Sequence, residues 1–483
     1  MQKRGDPETD GSDVKISCPR FPPALLRGPS VNNITNRFPS AAVPGPCAAA
    51  SRLGVFYMPY TLEKGAVGLV DDPLATPELS ADSNLWTLNF GPQHPSTHTT
   101  IRLVIEIDGE RIVRCVPIIG YLHSGFEKNA EALDYNQYVT IVDRMNYISP
   151  IANEFAWMRA VETLFGVELT PRCKVYRTLL AELARIQDHL LCVGAAALDL
   201  GGYTPFLFGF NEREPINDIM EFVSGARYHT SWARVGGAMR DVDDAMFRKM
   251  VKNYLDTTLP KGIDDIEHML NHLRIFIDRT QGIGAVTTAE AINWSLSGPV
   301  ARAAGVPRDI RKDDPYLCYK DNWDGQGTAA VSFKVPIMKT GDVLARYLVR
   351  LEEMKQSIAI IRQLIDNIPG GAMNVNPDGK EILPPKSQVY GSIEGLIHHF
   401  ELVMTNRGFE PPRAEAYGCH ETANGELGYY IVSDGGKNPW RARTRPPSFI
   451  HLSVLPKMIE GHMISDLVAI MGSLNIIAAE LDR

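Results

Sequence analysis

The sequence predicts an α+β fold that is predominantly helical. We expect a small N-terminal antiparallel sheet, a central helical bundle and a mixed C-terminal part. Alternating apolar residues around a turn signal predict the strands, and apolar stripes at three- and four-residue steps predict the helices. Beyond about residue 385 neither period is sustained, although residues 429–432 are strand-like. The folded domain is predicted to span residues 84–483.

The predicted sheet begins with a short strand at residues 86–90. Residues 100–107 alternate apolar side chains with polar or branched ones, which is typical of a strand. Asp108-Gly109 is a hairpin signal, and residues 111–118 continue as the next strand. Residues 91–98 are therefore expected to form the loop between the first two strands.

Three apolar stripes predict the helices of the central bundle. They lie at residues 175–190, 266–277 and 344–365. Asp342 is suited to cap the third helix, which is expected to stop before Pro369. These helices are long and apolar enough to pack against one another.

Composition and charge exclude several classes of protein. The net charge is -8 over 483 residues, whereas a nucleic-acid binder usually carries a basic balance. No apolar run reaches the 18 or so residues of a membrane span, because residues 190–200 are too few and Asp199 interrupts them. We therefore expect no nucleic acid as a partner, and membrane contact only through partner proteins.

The cysteines indicate free thiols in a reducing compartment. Their number is odd, their spacings are wide and none forms a C-x-x-C pair. A cysteine-ligated cluster within this chain is therefore not expected. The seven cysteines are Cys18, Cys47, Cys115, Cys173, Cys192, Cys318 and Cys419.

Residues 1–83 are predicted to be a variable and largely disordered extension, because they are rich in Pro, Ser, Ala and Gly without a sustained apolar period. They lack the apolar stretch of a signal peptide, and their early acidic residues do not suit a transit peptide. Met58 is a candidate true start. Peptides from residues 1–57 in the native protein would contradict that hypothesis.

The predicted loop at residues 91–98 is the first candidate functional element. His94 and His98 flank Pro95, Ser96 and Thr97, so the loop offers hydrogen-bond donors and groups that titrate near neutral pH. Composition alone favours two polar loop histidines over a ligand site. A metal site has less support, since no further cysteine or carboxylate pattern accompanies the histidines.

Several segments together resemble the 49 kDa subunit family of respiratory complex I, an NADH:quinone oxidoreductase. NFGPQHPSTH at residues 89–98 is similar to the family's signature, and the terminal LDR is similar to its VDR ending. The order is preserved and the resemblance covers about residues 84 to 483, which is far more specific than one short motif. The other matching segments are GYLH with EK at 120–128, DRMNY at 143–147, ELARI with HL at 182–190, DLGGYTPF with ERE at 199–214, SGAR with His229 at 224–229, and RARTRPPSF at 441–449.

The family is related to the large subunit of nickel–iron hydrogenases, so the resemblance implies a hydrogenase large-subunit-like fold. Hydrogenases hold their metal with two cysteine pairs. This sequence has no cysteine at residues 120–128 and none after Cys419, so we expect no metal site. A membrane-bound hydrogenase module remains the second interpretation, and a non-catalytic scaffold the third.

The resemblance implies roles for three catalytic residues. In the family, a quinone headgroup lies between a histidine and a tyrosine, which match His98 and Tyr147. Both are suited to donate protons to the basic reduced quinone. Asp199 matches the acid that pairs with the histidine, and a nearby carboxylate favours the charged imidazole. Without the resemblance, Tyr147 would be a half-buried structural tyrosine and Asp199 a helix-end acid.

Quinone-contacting and cluster-facing residues are implied in the same way. His94, Ser96 and Thr97 belong to the signature loop and are expected to contact the quinone. His229 matches a histidine beside the partner's terminal iron–sulfur cluster, where a cation or hydrogen bond raises the cluster potential. Taken alone, His229 would be a helix-face histidine paired with a carboxylate.

The resemblance also implies partners and a location. Quinone is the substrate, and electrons pass from NADH through clusters on other subunits. The last 4Fe-4S cluster belongs to a partner subunit at the quinone site, and none is bound by this chain. A subunit of the thirty-kilodalton type and a quinone-channel membrane subunit are further partners. The chain would be peripheral on the cytoplasmic side of a bacterial inner membrane, or on the matrix side of a mitochondrial one.

Four positions depart from the family's pattern. Thr99 replaces a usual glycine, which matters if the position needs a positive φ. Ser124 replaces an arginine near the partner's cluster, so a lower cluster potential is expected. Asn146 stands in place of an acid. Phe126 replaces a smaller residue, so local packing is expected to differ.

Overall fold

Strands lie mainly at the two ends of the described chain, and helices lie between and after them. The computed structural model describes residues 85–320, 331–375, 383–384, 386–404 and 411–483. The predicted extension at residues 1–83, including Met58, lies outside the described residues. The strands are β1 Trp86–Phe90, β2 Arg102–Asp108, β3 Arg111–Ile118, β4 Ala233–Arg234, β5 Gly237–Ala238, β6 Ala414–Glu421, β7 Glu426–Ser433 and β8 Arg441–Arg445.

The helices make up most of the rest, so the described residues form a mixed and predominantly helical fold. Short 3₁₀ turns occur at Pro95–Thr97 and Leu317–Tyr319. The helices are α1 Phe126–Ala132, α2 Val139–Val142, α3 Pro150–Phe165, α4 Pro171–Asp199, α5 Tyr203–Ser224, α6 Asp244–Thr257, α7 Leu259–Asn271, α8 Arg274–Asp278, α9 Thr288–Asn293, α10 Gly298–Ala303, α11 Ile310–Asp313, α12 Val343–Ile365, α13 Lys386–Gly391, α14 Ile393–Val403, α15 Pro447–Ile459, α16 Ile464–Leu474 and α17 Ala478–Asp482.

The N-terminal sheet has the predicted antiparallel order β1-β2-β3. Phe90 pairs with Leu103, and Asp108 pairs with Arg111 across the predicted hairpin turn. Gly109 has a φ of 60° there, a conformation that glycine adopts without a Cβ penalty. The apolar face of the sheet packs on α15 and α16 in one buried cluster.

Two of the three predicted bundle helices are confirmed. α4 runs for 29 residues, and its first turn is capped by Thr170, whose side chain accepts a hydrogen bond from the Cys173 amide at 3.2 Å. α12 begins after Asp342, whose carboxylate accepts from the Ala345 amide at 2.8 Å. α4 packs against α5 and α12. In the described part of the chain, no helix is long and apolar enough to cross a bilayer.

The single helix predicted at residues 266–277 is wrong. The chain forms α7 and α8 instead, because Leu273 adopts an extended conformation between them, with φ -84° and ψ 99°. The apolar stripe in the sequence continues from α7 into α8 because the break between the two helices is short. α7 packs mainly on α5 and α6. The place beside α4 that was expected for the helix at residues 266–277 is taken by α5. Pro215 and the polar residues within α5 interrupt its apolar pattern, so the sequence does not reveal this helix.

The ELARI segment of α4 belongs to a buried ion network. Arg311 donates to Glu182 at 3.0 Å, and Arg185 donates to the Thr422 carbonyl at 2.9 Å. Burial alone would raise the pKa of Glu182, but Arg311 and Arg185 lower it to about 2. His189 lies 2.8 Å from Glu353 in the same interior. These motif residues therefore hold helices together.

The mixed C-terminal part contains the sheet β6-β7-β8, which packs on α3. On the edge strand β8, Arg441 lies 2.8 Å from Glu131 and Arg443 lies 2.8 Å from Glu127, both on α1. Paired charges on an edge strand also hinder pairing with another chain. The described cysteines are free, as predicted, and all of them are buried, while Cys18 and Cys47 lie outside the described residues.

Candidate functional site

The signature loop is a compact turn that holds its own side chains. His94 precedes the 3₁₀ turn, and its Nδ1 accepts a hydrogen bond from the Ser96 amide at 3.3 Å. The buried Thr97 hydroxyl lies 2.8 Å from the His94 carbonyl oxygen and 2.7 Å from that of Thr99. The His94 ring packs on Phe90 with 3.9 Å between ring centroids. Thr97 therefore faces inward and fixes the loop.

His98 ends this turn in the left-handed conformation, with φ 54° and ψ 6°. Non-glycine residues rarely adopt that conformation, so the surrounding contacts must hold it. Thr99, where the family's glycine would stand, is not among the residues with positive φ. The conformational demand therefore falls on His98, and Thr99 does not place a side chain in a glycine conformation.

His98 points at the end of α4. Its Nε2 lies 2.7 Å from Oδ2 of Asp199, and the two side chains are 29% and 11% exposed. Asp199 is the last residue of α4, where the helix dipole disfavours a carboxylate and favours a nearby cation. The contact therefore anchors the His98 ring at the end of α4, while part of its side chain remains exposed.

α16 supports the pair from behind. It packs against both α4 and the 3₁₀ turn. A Cβ on Gly472 would lie 3.5 Å from Oδ2 of Asp199 and 3.6 Å from the Cα of Ala196. These are ordinary van der Waals distances, so α16 lies directly against the end of α4 at Gly472.

Tyr147 lies in the connection between α2 and α3, and its neighbours are anchored on α4. Asp188 accepts hydrogen bonds from Asn146 at 3.2 Å and from Ser149 at 2.9 Å, and Asn475 donates to its other oxygen at 2.7 Å. Burial, followed by the proximity of Tyr228, raises the pKa of the Tyr147 phenol. Tyr147 is therefore a neutral hydrogen-bond donor at physiological pH.

His229 lies in the segment after α5, beside Tyr228. Their rings meet edge to face, with 5.5 Å between centroids. Nδ1 of His229 is buried and has no hydrogen-bond partner among the described residues. Asp143 lies within electrostatic reach of His229: burial raises the pKa of Asp143, and the proximity of His229 offsets part of that rise. The expected helix-face pairing of His229 is thus replaced by a loop position near Asp143.

Two buried acids hold this segment in place. Asp143 accepts from the Ser231 amide at 2.8 Å and from its hydroxyl at 2.7 Å. Glu154 accepts from the Ala233 amide at 2.6 Å and from the Thr230 hydroxyl. Burial, reinforced by the neighbouring Asp143 charge, raises the pKa of Glu154 well above its ordinary value. Burial therefore disfavours the charged form of Glu154 in this pair.

The GYLH segment meets the chain's terminal motif. Asp482 accepts from the Gly120 amide at 2.9 Å and from the Leu122 amide at 2.7 Å, and its carbonyl lies 2.8 Å from Nδ1 of His123. Ser124 next to them is exposed. Two motifs that are more than 350 residues apart therefore form one surface.

The sequence matches the family model described as respiratory-chain NADH dehydrogenase, 49 Kd subunit, over residues 199–483. This chain belongs to that family.

Curated relatives extend the likeness over most of the chain. The D-type subunit of NADH-quinone oxidoreductase from Geobacter sulfurreducens is 44% identical over 404 residues, which cover 83% of this chain and 100% of that protein. The D-type subunit from Myxococcus xanthus is 43% identical over 84% of this chain and 95% of its own length. The C/D-type subunit of NADH-quinone oxidoreductase from Bdellovibrio bacteriovorus is 44% identical over 82% of this chain and 68% of its own length.

In this member of the family, His98 and Asp199 come together, and Tyr147, Tyr228 and His229 form a second group. No hydrogen bond joins His98 to Tyr147 in the described structure. No group of three or more His, Cys, Asp or Glu in the described ranges is arranged to hold a metal ion. Sequence reasoning missed three anchoring acids: Asp143, Glu154 and Asp188.

The sequence contains a signal that could have identified Asp188, one of these three acids. Asp188 and Asp199 are eleven residues apart in one helix, which is close to three full turns. Two acids at that spacing share a helix face, and Asp199 was already a candidate site residue. Asp143 and Glu154 carried no comparable signal, because only the fold of α2 and α3 brings them together.

Proposed function

We propose that this chain is the subunit of a proton-translocating NADH:quinone oxidoreductase that forms the quinone-reduction site. The observation that carries the proposal is the 2.7 Å contact between His98 and Asp199 at the tip of the signature loop. A left-handed, partly exposed histidine held by an acid is a preorganised proton donor. Electrons reach the quinone from NADH through clusters on partner subunits.

Quinone reduction requires two protons at the carbonyl oxygens. Tyr147 keeps its proton because burial raises its pKa, so it can donate a hydrogen bond to one oxygen. His98, with Asp199 behind it, can serve the other. Asp188 and Asp199 are about 16 Å apart along α4. Asp199 contacts His98, Asp188 holds the neighbours of Tyr147, and the two donor side chains would extend from these positions towards the quinone. His94 and Ser96 would border the quinone, while Thr97 supports the loop.

Exposed apolar surfaces support a multisubunit setting. Tyr203, Leu207 and Phe210 project from α5 just after Asp199, with 60%, 50% and 37% of their surfaces exposed. Apolar patches of this kind mark interaction sites. We assign them to the cluster-bearing quinone-site subunit and the quinone-channel membrane subunit. The fused C/D relative supports the thirty-kilodalton-type subunit as a further neighbour.

The remaining assignments rest on the same proposal. Residues 84–483 form one domain of this family, with a hydrogenase large-subunit-like fold. A 4Fe-4S cluster lies on the partner subunit, and His229, whose buried Nδ1 has no hydrogen-bond partner among the described residues, is the residue expected to act on it. The chain would lie peripherally, on the cytoplasmic side of a bacterial inner membrane or on the matrix side of a mitochondrial one.

Replacing Tyr147 with phenylalanine tests the proposal. The purified complex carrying Tyr147→Phe should contain every subunit and oxidise NADH with an artificial acceptor at the wild-type rate. Its quinone reductase activity should fall about a hundredfold, as expected when a positioned proton donor is removed. Tyr390→Phe is the matched control, because Tyr390 is 87% exposed. Wild-type quinone reduction by Tyr147→Phe would overturn the site assignment.

A further inference from the structure

Glu480 on α17 is a buried acid without a basic partner. It is 1% exposed. It forms no ion pair within the described chain, whereas the buried acid Glu421 lies 2.9 Å from Arg302. A carboxylate that is taken out of water with no cation beside it is strongly unfavourable in its charged form. The position of Glu480 therefore favours a carboxyl group that keeps its proton.

The hydrogen bonds of Glu480 also suit the neutral acid. Oε2 accepts from the Ser448 hydroxyl at 3.0 Å. Oε1 is buried and has no hydrogen-bond partner among the described residues. A carboxylate is stabilised by donors at both oxygens, whereas a protonated carboxyl group can itself donate to a hydroxyl such as that of Ser448. The protonated form is therefore accommodated without a change in these contacts.

A second buried acid acts on Glu480. Asp188 on α4 is 0% exposed, and like charges in a buried site oppose each other. Burial, followed by the Asp188 charge, raises the pKa of Glu480. Hydrogen bonds from Ser448 and Asn424 offset part of that rise, and the resulting pKa is about 7. Glu480 therefore exchanges its proton within the physiological range.

The titratable groups on the neighbouring elements do not neutralise Glu480. His451 lies on α15, which packs against α17, and burial lowers the pKa of its imidazole to about 3. Tyr429 lies on β7, and burial raises the pKa of its phenol well above the ordinary value. Asp482, two residues further along α17, binds backbone amides of the GYLH segment. The neighbouring charge that acts on Glu480 is therefore the negative charge of Asp188.

Two side-chain amides connect Glu480 with Asp188. The amide nitrogen of Asn424 is buried without a well-formed hydrogen bond, as is Oε1 of Glu480, and Asn424 acts on the Glu480 carboxyl as a hydrogen-bond donor. The amide oxygen of Asn424 accepts from the nitrogen of Asn475, which also donates to Asp188 at 2.7 Å. Asp188 in turn holds the segment around Tyr147. A change of charge at Glu480 is therefore transmitted to the candidate site.

We propose that Glu480 is a positioning residue of the candidate site that binds one exchangeable proton. With the proton bound, Asp188 is the one charged acid of the pair and the bridge through Asn424 and Asn475 is intact. Loss of the proton leaves a carboxylate at each end of this short buried bridge. Their repulsion loosens the hold of Asp188 on the Tyr147 segment, so quinone binding weakens. The effect on quinone rests on the proposed function, whereas proton binding by Glu480 does not.

Infrared difference spectroscopy of the intact complex detects the proton directly, because a carboxylic acid and a carboxylate absorb at different frequencies. Between about pH 6 and about pH 8, on either side of the pKa of Glu480, the wild type should lose a carboxylic-acid band that Glu480→Gln lacks at both values. Glu480→Asp keeps a carboxyl group and should show a shifted band, which serves if Glu480→Gln fails to assemble. Spectra of the variants identical to the wild type would overturn the proposal without any quinone turnover.

Quinone kinetics test the positioning role. Over the same pH range the KM for quinone should rise about tenfold more in the wild type than in Glu480→Gln, which stays neutral, while kcat changes equally in both. Glu168→Gln, at an exposed position, is the control and should follow the wild type. An equal pH dependence of KM in wild type and Glu480→Gln would overturn the positioning role. Wild-type quinone reduction by Tyr147→Phe, with the infrared band present, would instead contradict the proposed function.

Discussion

Asp188 and Asp199 lie on the same face of α4, three helical turns apart, and each holds a different segment of the candidate site. Asp199 contacts His98 at the tip of the signature loop. Asp188 binds Asn146 and Ser149 on either side of the Tyr147 position. One rigid helix therefore sets the separation of the two proposed proton donors, and the site geometry depends on α4 remaining straight and well packed.

The His98–Asp199 contact predicts non-additive mutations. His98→Ala should reduce quinone reductase activity about a hundredfold, and Asp199→Asn should reduce it by a smaller factor. The double variant should be no worse than His98→Ala, because Asp199 acts through His98. The measurement is a double-mutant cycle on the purified complex, with exposed Asp278→Asn as the control. Multiplicative losses would show that Asp199 acts independently of His98.

The Asp188 anchor predicts a combined loss of stability and function. Asp188→Asn turns an acceptor of three buried hydrogen bonds into a group that must donate to some of the same partners. The change should destabilise the protein by about 2 kcal/mol and lower the melting temperature of the complex. Quinone reduction should fall with it, since the Tyr147 segment loses its support. An unchanged melting temperature would contradict the anchoring role.

The raised pKa of Glu154 predicts a pH-dependent stability difference. Its folded pKa lies well above the ordinary 4.5, so the wild type loses stability as pH rises from 4.5 towards the folded value. Gln cannot ionise and retains a carboxamide that mimics the protonated acid. The stability of Glu154→Gln relative to wild type should therefore increase with pH over that window. Thermal unfolding of the complex at several pH values measures it.

The corresponding control is Glu394→Gln, at an exposed position on α14. It should show no pH-dependent difference from wild type. If Glu154→Gln behaves like this control, the pKa of Glu154 is not raised in the folded chain.

We expect Ser124 to give the proposed partner cluster a lower potential than an arginine at that position would. Ser124→Arg restores a fixed positive charge on the exposed surface held by Asp482. The midpoint potential should rise, because a nearby cation stabilises the reduced cluster. A redox titration followed by electron paramagnetic resonance measures the shift. Ser332→Arg, at an exposed site in another segment, is the control, and an equal shift there would remove the specific role of Ser124.

Local patterns were sufficient for the parts of the fold whose partners are close in sequence. The β2–β3 hairpin followed from alternation and the Asp108-Gly109 turn, since both are properties of neighbouring residues. α4 and α12 were predicted because their apolar stripes are much longer than the irregular segments at the helix ends. The prediction failed at residues 266–277, because the apolar stripe continues across the two-residue break at His272 and Leu273 and so does not reveal it.

The sequence by itself determined the family, the loop that carries His94 and His98, and the faces of α4 and α12 that are buried. The order of the residues and the period of the apolar positions are sufficient to define those features. Only the tertiary structure decided which buried groups meet. Periodicity tells which side of a helix is covered but not which residues cover it. The hydrogen bonds that join Asp188 to several segments and the raised pKa of Glu154 therefore depend on contacts between distant parts of the chain.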